Sequence, residues 1–557
     1  MKLKTLWMAA IAAVLSLAIV ACGDDSTAAA QSTALAIVKP TAACASLSST
    51  DLTAIGGVGS TITSATEGSL AINGVNVKFC TVEGTLAPAV GFRVRLPVDT
   101  WTQRYAHMGC GGLCGSIDAS ATPSQAYGCP ITQQGGMVLS STNMGHTGAE
   151  ANWSQDAQRR VDFAYRGVHV TTEATKKLIQ AYYGQAQKHA YFVGCSDGGR
   201  EGLMAAQRYP TDYDGIVVGA PAFLFNVQNS LHHGWLARSN RDNGLSTGNL
   251  VMFPAKATVL HNAVVAACDA LDGQTDGLIS DPRKCTFDPA TIQCAANATD
   301  TSACLTTAEV ATASKFYNGP RDPLSNRRIL VGGPQYGSEL NWTGVFVPAS
   351  ATSTGVFSEM IVGGARNLIY TDATPPTLDQ LEFTEAFYSK LRPRHPLNDA
   401  TNPDLSAFKA AGGKLILWHG WADQHISPIN TIAYYEAMQK TMGQTNMDSF
   451  MRMFVVPGVA HCGGGEGHSN MDLVTAIDDW VIKGTAPTAV TTYRTDTTTA
   501  AVISSRPVYP YPAVAHYNGT GDANQASSYT SGAALVNAVT PDWAGTDMFT
   551  PYAAAPL

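Results

Sequence analysis

The sequence of 557 residues is poor in charged side chains and contains no basic run. Charged residues make up 14% of the chain and the formal net charge is −8, which argues against nucleic acid as a partner. The phosphate loop and the glycine pattern of dinucleotide-binding folds are both missing, so neither type of nucleotide cofactor is expected. Beyond residue 22, no apolar stretch is long enough to span a bilayer. The hydrophobic content of 45% is nevertheless ample for a large globular core.

The first 22 residues have the pattern of an export signal. Lys2 and Lys4 precede a nearly apolar stretch, and the tetrapeptide that ends in Cys22 resembles a bacterial lipobox, whose cysteine becomes lipidated. An ordinary cleaved signal peptide and a transmembrane anchor are the alternatives, although the run is short for a spanning helix. We expect a signal peptide at 1–22 and an Ala-, Ser- and Thr-rich linker at 23–42. The protein would then be an exported lipoprotein, in the periplasm or on the outer membrane, that meets the membrane only through its lipid anchor.

Beyond the linker, the chain alternates between short apolar strands and helices. Strand patterns at 189–194 and 216–221 lie on either side of a helical pattern at 200–209, which is the order found in open α/β sheets. From about residue 223 the pattern changes to irregular helices with four cysteines, and strand patterns return at 413–418 and 453–457. The sequence therefore predicts an α/β core built from residues 43–222 and 402–557, with an insertion at residues 223–401.

A glycine-flanked serine follows the strand at 189–194, in the sequence Gly-Cys-Ser-Asp-Gly at residues 194–198. A serine hydroxyl needs an adjacent base to become a nucleophile, and the base needs an orienting carboxylate. In α/β hydrolases these groups occur in the order serine, acid and histidine, on loops after strands. Asp423 and His461 follow the two later strand patterns. We therefore predict Ser196 as nucleophile, Asp423 as orienting acid and His461 as base; the alternative is a glycine-rich turn with an incidental serine.

Eleven cysteines follow Cys22, an odd number that leaves at least one of them outside any internal disulfide. Export makes disulfides the default expectation for the others. Cys195 directly precedes Ser196, and Cys462 directly follows His461. Contact between Ser196 and His461 would bring the two sulfurs together, so we predict a disulfide that joins the two loops. Two buried thiols are the alternative.

The Cys-Ser pair at 195–196 and the His-Cys pair at 461–462 together resemble the tannase and feruloyl esterase family. The likeness extends from about residue 44 to residue 512 and is strongest over 191–221. It implies an α/β-hydrolase core whose insertion forms a large lid. It also implies hydrolysis of esters of aromatic acids, of the feruloyl or galloyl type, through an acyl-enzyme. The implied partner is a small aromatic ester, and the oligomeric state is left open.

The resemblance also implies an oxyanion hole and further disulfides. One oxyanion donor would be the backbone N–H of Asp197 and the other would lie at Gly112, in a glycine cluster at 109–115. Cys129 is expected to pair with Cys110 or Cys114, and the choice between them stays open. The other expected disulfides are Cys44–Cys80, Cys268–Cys285 and Cys294–Cys304.

An acidic turn within the insertion is similar to the calcium loop in lids of this family. Asp269, Asp272 and Asp276 lie within eight residues, two glycines at 273 and 277 bend the chain there, and carboxylate oxygens suit a hard cation. The resemblance adds the backbone carbonyls of Gln274 and Leu278 as ligands. We expect a structural calcium ion at this loop; a solvated acidic turn is the alternative.

Two residues near Asp423, namely His419 and Ile426, are expected to line the acyl pocket, although a plain core or loop role is an alternative for each. One branch of the family hydrolyses a terephthalate half-ester and uses a lid arginine for its free carboxylate. The corresponding residues 356–368 offer Arg366, but Glu359 competes for that position, which makes half-ester hydrolysis a weaker alternative. The same residues would also suit a serine peptidase or amidase, or a lipoprotein that captures aromatic esters without hydrolysing them.

Overall fold

The computed structural model describes residues 35–72, 74–120 and 124–553. The predicted signal peptide with its lipobox, and residues 23–34 of the predicted linker, lie outside the described residues. Within the described ranges, no helix is both long enough and apolar enough to cross a bilayer.

The strands of the described chain form one large sheet and two small ones. In the large sheet the order is β1-β2-β3-β5-β4-β6-β7-β8-β9, and the small sheets are β10-β11-β12 and β13-β14. The strands are β1 (Thr61–Ile72), β2 (Val75–Leu86), β3 (Val90–Pro97), β4 (Arg104–Met108), β5 (Met137–Thr142), β6 (His189–Cys195), β7 (Gly215–Gly219), β8 (Lys414–Gly420), β9 (Met451–Val456), β10 (Asn470–Met471), β11 (Val490–Thr495), β12 (Val502–Val508), β13 (Val514–Tyr517) and β14 (Tyr529–Gly532).

The helices flank the large sheet or fill the connections between its strands. The α-helices are α1 (Thr53–Gly56), α2 (Pro130–Gln133), α3 (Ala157–Val161), α4 (Gly167–Tyr183), α5 (Asp197–Arg208), α6 (Phe225–Val227), α7 (His233–Ser239), α8 (Pro254–Cys268), α9 (Thr307–Asn318), α10 (Phe357–Ile369), α11 (Tyr388–Leu391), α12 (His395–Asn398), α13 (Ser406–Ala410), α14 (Pro428–Met442), α15 (Gln444–Asp448) and α16 (Leu473–Lys483). Two π-helical segments, Asp162–Arg166 and Gln228–His232, continue directly into α4 and α7.

The large sheet is antiparallel from β1 through β3 to β5 and parallel from β5 to β9. Strands β4, β5 and β7 are buried along their whole length, as expected for parallel strands with helices on both faces. Ile216 and Val218 pack into one hydrophobic layer, which includes residues of α4 and α5. Val217, between them, packs into the opposite layer with Ile477 and Trp480 of α16. Side chains that alternate between two layers confirm the predicted α/β class.

The connection between the neighbouring parallel strands β7 and β8 extends over residues 220–413. Part of it has a hydrophobic cluster of its own, formed by residues between 236 and 347 around the buried side chains of Trp342 and Phe316. The disulfides Cys268–Cys285 and Cys294–Cys304 lie in the same part of the chain. The connection starts three residues before the predicted insertion limit at 223 and ends twelve residues after the limit at 401. Its role as a lid domain stays a prediction.

Candidate active site

Ser196 occupies a sharp turn between the end of β6 and the start of α5. Its backbone has φ = 63° and ψ = −122°, a conformation that is costly for a residue with a side chain. The turn is tight on both sides: a Cβ on Gly194 would lie 2.6 Å from the carbonyl carbon of Gly198, and one on Gly198 would lie 2.9 Å from the carbonyl oxygen of Cys110. Glycine at both positions therefore lets the strand, the helix and the Cys110 loop approach each other. The turn presents the Ser196 hydroxyl at the carboxyl end of β6.

Ser196, His461 and Asp423 form one continuous chain of hydrogen bonds. The Ser196 Oγ lies 2.8 Å from His461 Nε2, and His461 Nδ1 lies 2.7 Å from Asp423 Oδ2. A carboxylate only accepts hydrogen bonds, so Nδ1 carries the hydrogen and Nε2 is left to accept one from the serine. The backbone N–H of His461 donates to the side chain of Gln424, which holds the histidine loop near Asp423.

Asp423 is buried and accepts four hydrogen bonds. Its Oδ1 accepts from the backbone N–H groups of His425 and Ile426, at 2.8 and 2.9 Å. Its Oδ2 accepts from His461 and, at 3.2 Å, from His419 Nε2. Burial opposes ionisation, but the electrostatic interaction with His461 and the hydrogen bonds from both histidines outweigh it and hold the pKa of Asp423 far below its ordinary value. The Asp423 carboxylate is therefore ionised in the folded protein near neutral pH.

His419 does not line the acyl pocket, and this prediction is wrong. The ring is fully buried behind Asp423, where Nε2 also lies 3.1 Å from the carbonyl oxygen of Ile426 and Nδ1 lies 2.8 Å from the hydroxyl of Thr431. Because a carbonyl can only accept, Nε2 carries the hydrogen and also serves Asp423. His419 thus supports the acid from behind. Ile426, the other predicted pocket residue, does line the cavity in front of Ser196.

Asp197 and Gly112 line the same cavity as Ser196. The N–H of Asp197 is the first in α5, and the first N–H groups of a helix have no acceptor within the helix. The Asp197 carboxylate points away and binds the buried Arg200 through two contacts, at 2.7 and 2.9 Å. Burial and the charge of Asp197 raise the pKa of Glu201, which lies beneath the loop at 109–115, above its ordinary value.

The expected disulfide Cys195–Cys462 is present and joins the turn at Ser196 to the loop that carries His461, across 267 residues of sequence. The expected pairing of Cys129 is wrong, because Cys110 pairs with Cys114 and Cys129 is a buried free thiol. The left-handed backbone of Gly112 and Cys114, with φ of 64° and 61°, bends the loop enough to join cysteines four residues apart. The disulfides Cys44–Cys80, Cys268–Cys285 and Cys294–Cys304 are present as expected.

A cavity of about 570 Å³ opens in front of Ser196. Its wall is mainly apolar and includes neutral polar side chains from the segment after β7 and from the loop after β8. No lysine or arginine occurs among the described residues that line it. The lining residues are Gly111, Gly112, Leu113, Cys195, Ser196, Asp197, Ala222, Phe225, Gln228, Asn229, His233, Phe357, Met360, Ile361, His425, Ile426, His461 and Cys462.

The two further histidines of the cavity wall are neutral near pH 7. Burial, and to a smaller extent the electrostatic interaction with His461, lowers the pKa of His425 to about 4. Burial, with the other histidines nearby, lowers the pKa of His233 well below its ordinary value. The lid candidates Arg366 and Glu359 are not among the lining residues, and Glu359 instead forms an ion pair with Arg241 at 2.6 Å. The cavity is therefore suited to an uncharged acyl group.

Sequence reasoning missed Gln228, Asn229, His233 and His425 as cavity residues. Three of them lie in the irregular stretch after β7, where no periodic pattern indicates which side chains face inward. His425 lies two residues after Asp423. That short spacing from a predicted site residue was the only feature of the sequence that could have indicated its place in the cavity wall.

In the predicted calcium loop, backbone N–H groups donate hydrogen bonds to the carboxylates of the same loop. Oxygens of Asp269, Asp272 and Asp276 each accept hydrogen bonds from backbone N–H groups of residues 274–278, at 2.9 to 3.2 Å. Burial raises the pKa of Asp272, and the charges of Asp276 and Asp269 act in the same direction. Arg506 donates to Asp276 at 2.6 Å and supplies one positive charge.

The donor set of this loop suits a hard cation, because each carboxylate has about four lone-pair positions and the loop N–H groups occupy only some of them. The oxygens of the three aspartates do not converge on a single point. Among the described residues, only one group of at least three histidine, cysteine, aspartate or glutamate side chains has its ligand atoms within 4.8 Å of each other. It consists of Cys110, Cys114, Asp197 and Glu201. The sulfurs of that group are joined in a disulfide, which leaves them poor ligands.

The largely parallel sheet, the strand–turn–helix around Ser196 and the hydrogen-bonded serine, histidine and acid define an α/β-hydrolase fold. Solved structures support this class. Feruloyl esterase B from Aspergillus oryzae superimposes with a TM-score of 0.74 at 25% identity and covers 88% of this chain and 100% of its own. Tannin acyl hydrolase from Aspergillus niger has the same fold, with a TM-score of 0.67 at 20% identity over 89% of this chain and 96% of its own.

Sequence comparison narrows the class to one family. The family model described as tannase and feruloyl esterase matches residues 73–532. Mono(2-hydroxyethyl) terephthalate hydrolase of Piscinibacter sakaiensis is 29% identical over 82% of this chain and 85% of its own. A probable feruloyl esterase of Arthroderma benhamiae is 30% identical over 81% of this chain and 85% of its own. The chain belongs to the tannase and feruloyl esterase family and is a carboxylic ester hydrolase.

Proposed function

We propose that this protein hydrolyses esters of aromatic acids, of the feruloyl or galloyl type, with Ser196 as nucleophile. The observation that carries the proposal is the chain of short hydrogen bonds from Ser196 through His461 to Asp423, at 2.8 and 2.7 Å. It reaches from the floor of an apolar cavity to a buried carboxylate, which is the arrangement that activates a serine hydroxyl.

In the proposed reaction, Ser196 Oγ attacks the ester carbonyl carbon while His461 Nε2 takes the hydroxyl proton. Asp423 holds Nδ1–H and stabilises the imidazolium that forms. The N–H groups of Asp197 and Gly112 receive the negative charge that develops on the carbonyl oxygen. His461 then delivers its proton to the leaving alcohol, and a water molecule releases the acid from Ser196 by the same steps in reverse.

The side chains that line the cavity favour an uncharged aromatic acyl group as the substrate. Phe225, Phe357 and Ile361 supply apolar surface for a ring, and the neutral His233 and His425 add no charge. A terephthalate half-ester carries a free carboxylate, for which the described lining offers no cationic side chain. Hydrolysis of such half-esters is therefore the weaker alternative, although a curated relative carries that activity in its name.

The test is hydrolysis of methyl ferulate and methyl gallate by the wild type and by Ser196→Ala. We expect the variant to lose at least about 10⁴-fold in kcat, because the nucleophile is gone while the cavity remains. Circular dichroism and thermal unfolding control for the fold. Hydrolysis of these esters by the variant at the wild-type rate would contradict the proposal, and a matched anilide hydrolysed faster than the ester would favour an amidase.

We further propose that the protein is exported and anchored through Cys22. Five disulfides in the described chain suit an oxidising compartment. A clickable palmitate analogue fed to expressing bacteria should label the wild type and not Cys22→Ser. Equal labelling of both proteins would refute the anchor.

The proposed calcium ion would be held by the carboxylates of Asp269, Asp272 and Asp276 and by the carbonyls of Gln274 and Leu278. Its part would be structural, since it would neutralise the mutual repulsion of the three aspartates. Calcium should raise the melting temperature of EDTA-treated protein, and Asp272→Asn should reduce that rise. An unchanged melting temperature would contradict calcium binding at this loop.

A further inference from the structure

The disulfide Cys110–Cys114 closes the smallest ring of the five bridges in the described chain. Its cysteines are 4 residues apart in sequence, whereas the other four bridges join residues 10, 17, 36 and 267 apart. A disulfide stabilises a fold mainly by restricting the unfolded chain, and this restriction grows with loop length. The Cys110–Cys114 bridge therefore contributes least to global stability. Its main effect is on the conformation of the residues that it encloses.

The three enclosed residues, Gly111, Gly112 and Leu113, all line the active-site cavity. The N–H of Cys114 donates to the carbonyl oxygen of Gly111 at 3.0 Å, which closes a turn. Gly112, with φ = 64°, is the first central residue of this turn, a position where a positive φ favours glycine. The N–H of Gly112 has no backbone acceptor in the described chain. Gly112 is exposed and has no side chain, so its backbone is accessible from the cavity.

The bridge rests on the helix that begins directly after Ser196. Cys110 Sγ lies 2.7 Å from Glu201 Oε1, and Cys114 Sγ lies 3.4 Å from Asp197 Oδ2. Both carboxyl side chains are buried and belong to the first two turns of α5. Because buried side chains are closely packed, the two sulfurs contact a surface that yields little.

The chain before the bridge is also fixed. Gly109 N–H donates to the carbonyl oxygen of Val193 in β6, at 2.9 Å, and the Cys110 carbonyl oxygen packs against Gly198 in α5. Strand β6 and helix α5 meet at Ser196, so the enclosed turn is held against both elements that carry the nucleophile. Two of the three enclosed residues are glycines, whose backbone has the widest conformational range. The bridge restricts that range.

We propose that Cys110 and Cys114 are positioning residues that hold the N–H of Gly112 where it stabilises the negative charge on the ester carbonyl oxygen. The inference rests on the proposed hydrolysis at Ser196 and on the proposed oxyanion donors. An oxyanion donor is effective when it already points at the oxygen, because reorienting it during the reaction costs free energy. The bridge therefore acts on the transition state and hardly on binding of the ester.

The first measurement is kcat/KM for methyl ferulate in the wild type and in Cys110→Ser/Cys114→Ser. Loss of an oxyanion donor costs about 10²- to 10³-fold in turnover, and a donor that is present but loosely held should cost less. We expect kcat/KM to fall roughly 10- to 100-fold. The matched control is Cys294→Ser/Cys304→Ser, which removes another short bridge whose cysteines do not line the cavity and should keep the wild-type kcat/KM.

The second measurement separates positioning from a general loosening of the cavity. Phenylboronic acid forms a tetrahedral adduct with an activated serine and so reports stabilisation of the oxyanion. The methyl ether of coniferyl alcohol keeps the ring and the chain of the substrate without its carbonyl, and so reports the cavity alone. In the double variant, the inhibition constant of the boronic acid should rise by a factor similar to the fall in kcat/KM, and that of the ether should stay within about threefold.

A second variant, Cys110→Ala/Cys114→Ala, repeats both measurements without placing hydroxyl groups beside the carboxyls of α5, and thermal unfolding confirms that each variant is folded at the assay temperature. An unchanged kcat/KM in the folded variants would overturn the role of the bridge and leave the esterase proposal intact. Equal weakening of the boronic acid and the ether would also overturn it, because the whole cavity would then have loosened. No hydrolysis of any aromatic ester by the wild type would overturn the proposed function and this inference with it.

Discussion

Removal of the disulfide between Cys195 and Cys462 should affect stability and catalysis together. This bridge joins residues 267 apart in sequence, whereas Cys294–Cys304 joins residues only 10 apart and lies in the β7–β8 connection. Loop closure restricts the unfolded chain by an entropy that grows with the logarithm of loop length. At 25 °C this corresponds to about 5.6 kcal/mol for the long loop and about 2.7 kcal/mol for the short one.

We therefore expect Cys195→Ser/Cys462→Ser to lose about 3 kcal/mol more unfolding free energy than Cys294→Ser/Cys304→Ser, which serves as the matched control. Urea unfolding followed by tryptophan fluorescence measures the difference. The first variant should also lose kcat on the order of 10²-fold on methyl ferulate, because the contact between Ser196 and His461 is no longer held by the bridge next to both. The control should keep its kcat.

Two results would refute this reasoning. Equal losses of unfolding free energy in the two double variants would show that loop length does not govern the effect. An unchanged kcat after removal of Cys195 and Cys462 would show that packing alone positions His461 against Ser196.

Two other perturbations test single contacts. Asp423→Asn keeps the shape of the acid but no longer favours hydrogen on Nδ1 of His461, so kcat for methyl ferulate should fall by about 10⁴; a fall below tenfold would contradict its role. Burial opposes the charge of His261, but hydrogen bonds to Glu339 and Glu466, at 2.9 and 3.0 Å, raise its pKa to about 9. A raised folded-state pKa stabilises the protein below the unfolded value of about 6.5, and this contribution is lost as the pH rises through 9. His261→Gln should therefore lower the unfolding free energy at about pH 6 and hardly at about pH 10, and equal losses at both would refute the ion pair.

The order of elements around Ser196 could be derived from sequence because each part leaves a local trace. Apolar runs mark β6 and β7, and the glycines mark the turn. Asp423 and His461 each follow a strand, which places both residues at the carboxyl ends of the strands. Parallel strands end on the same side, so residues far apart in sequence meet there. The adjacent cysteines supplied an independent constraint on the same contact.

The features that sequence reasoning missed depend on conformations with no periodic signal. The Cys110–Cys114 bridge needs left-handed backbone at Gly112 and Cys114, which composition does not reveal. His419 is the next-to-last residue of β8, and its burial depends on which face of the strand it occupies beside Asp423. Gln228 lies in a π-helical segment within an irregular connection, where hydrophobic periodicity gives no inward direction.

The most direct measurement of the central claim is the site of covalent labelling by a fluorophosphonate. The probe reacts with a serine that a neighbouring base has activated, so peptide mapping by mass spectrometry identifies the nucleophile. We predict that the adduct lies on the peptide that contains Ser196, that methyl ferulate slows its formation, and that Ser196→Ala abolishes it. An adduct on another serine, or no adduct in folded wild-type protein, would contradict Ser196 as the nucleophile.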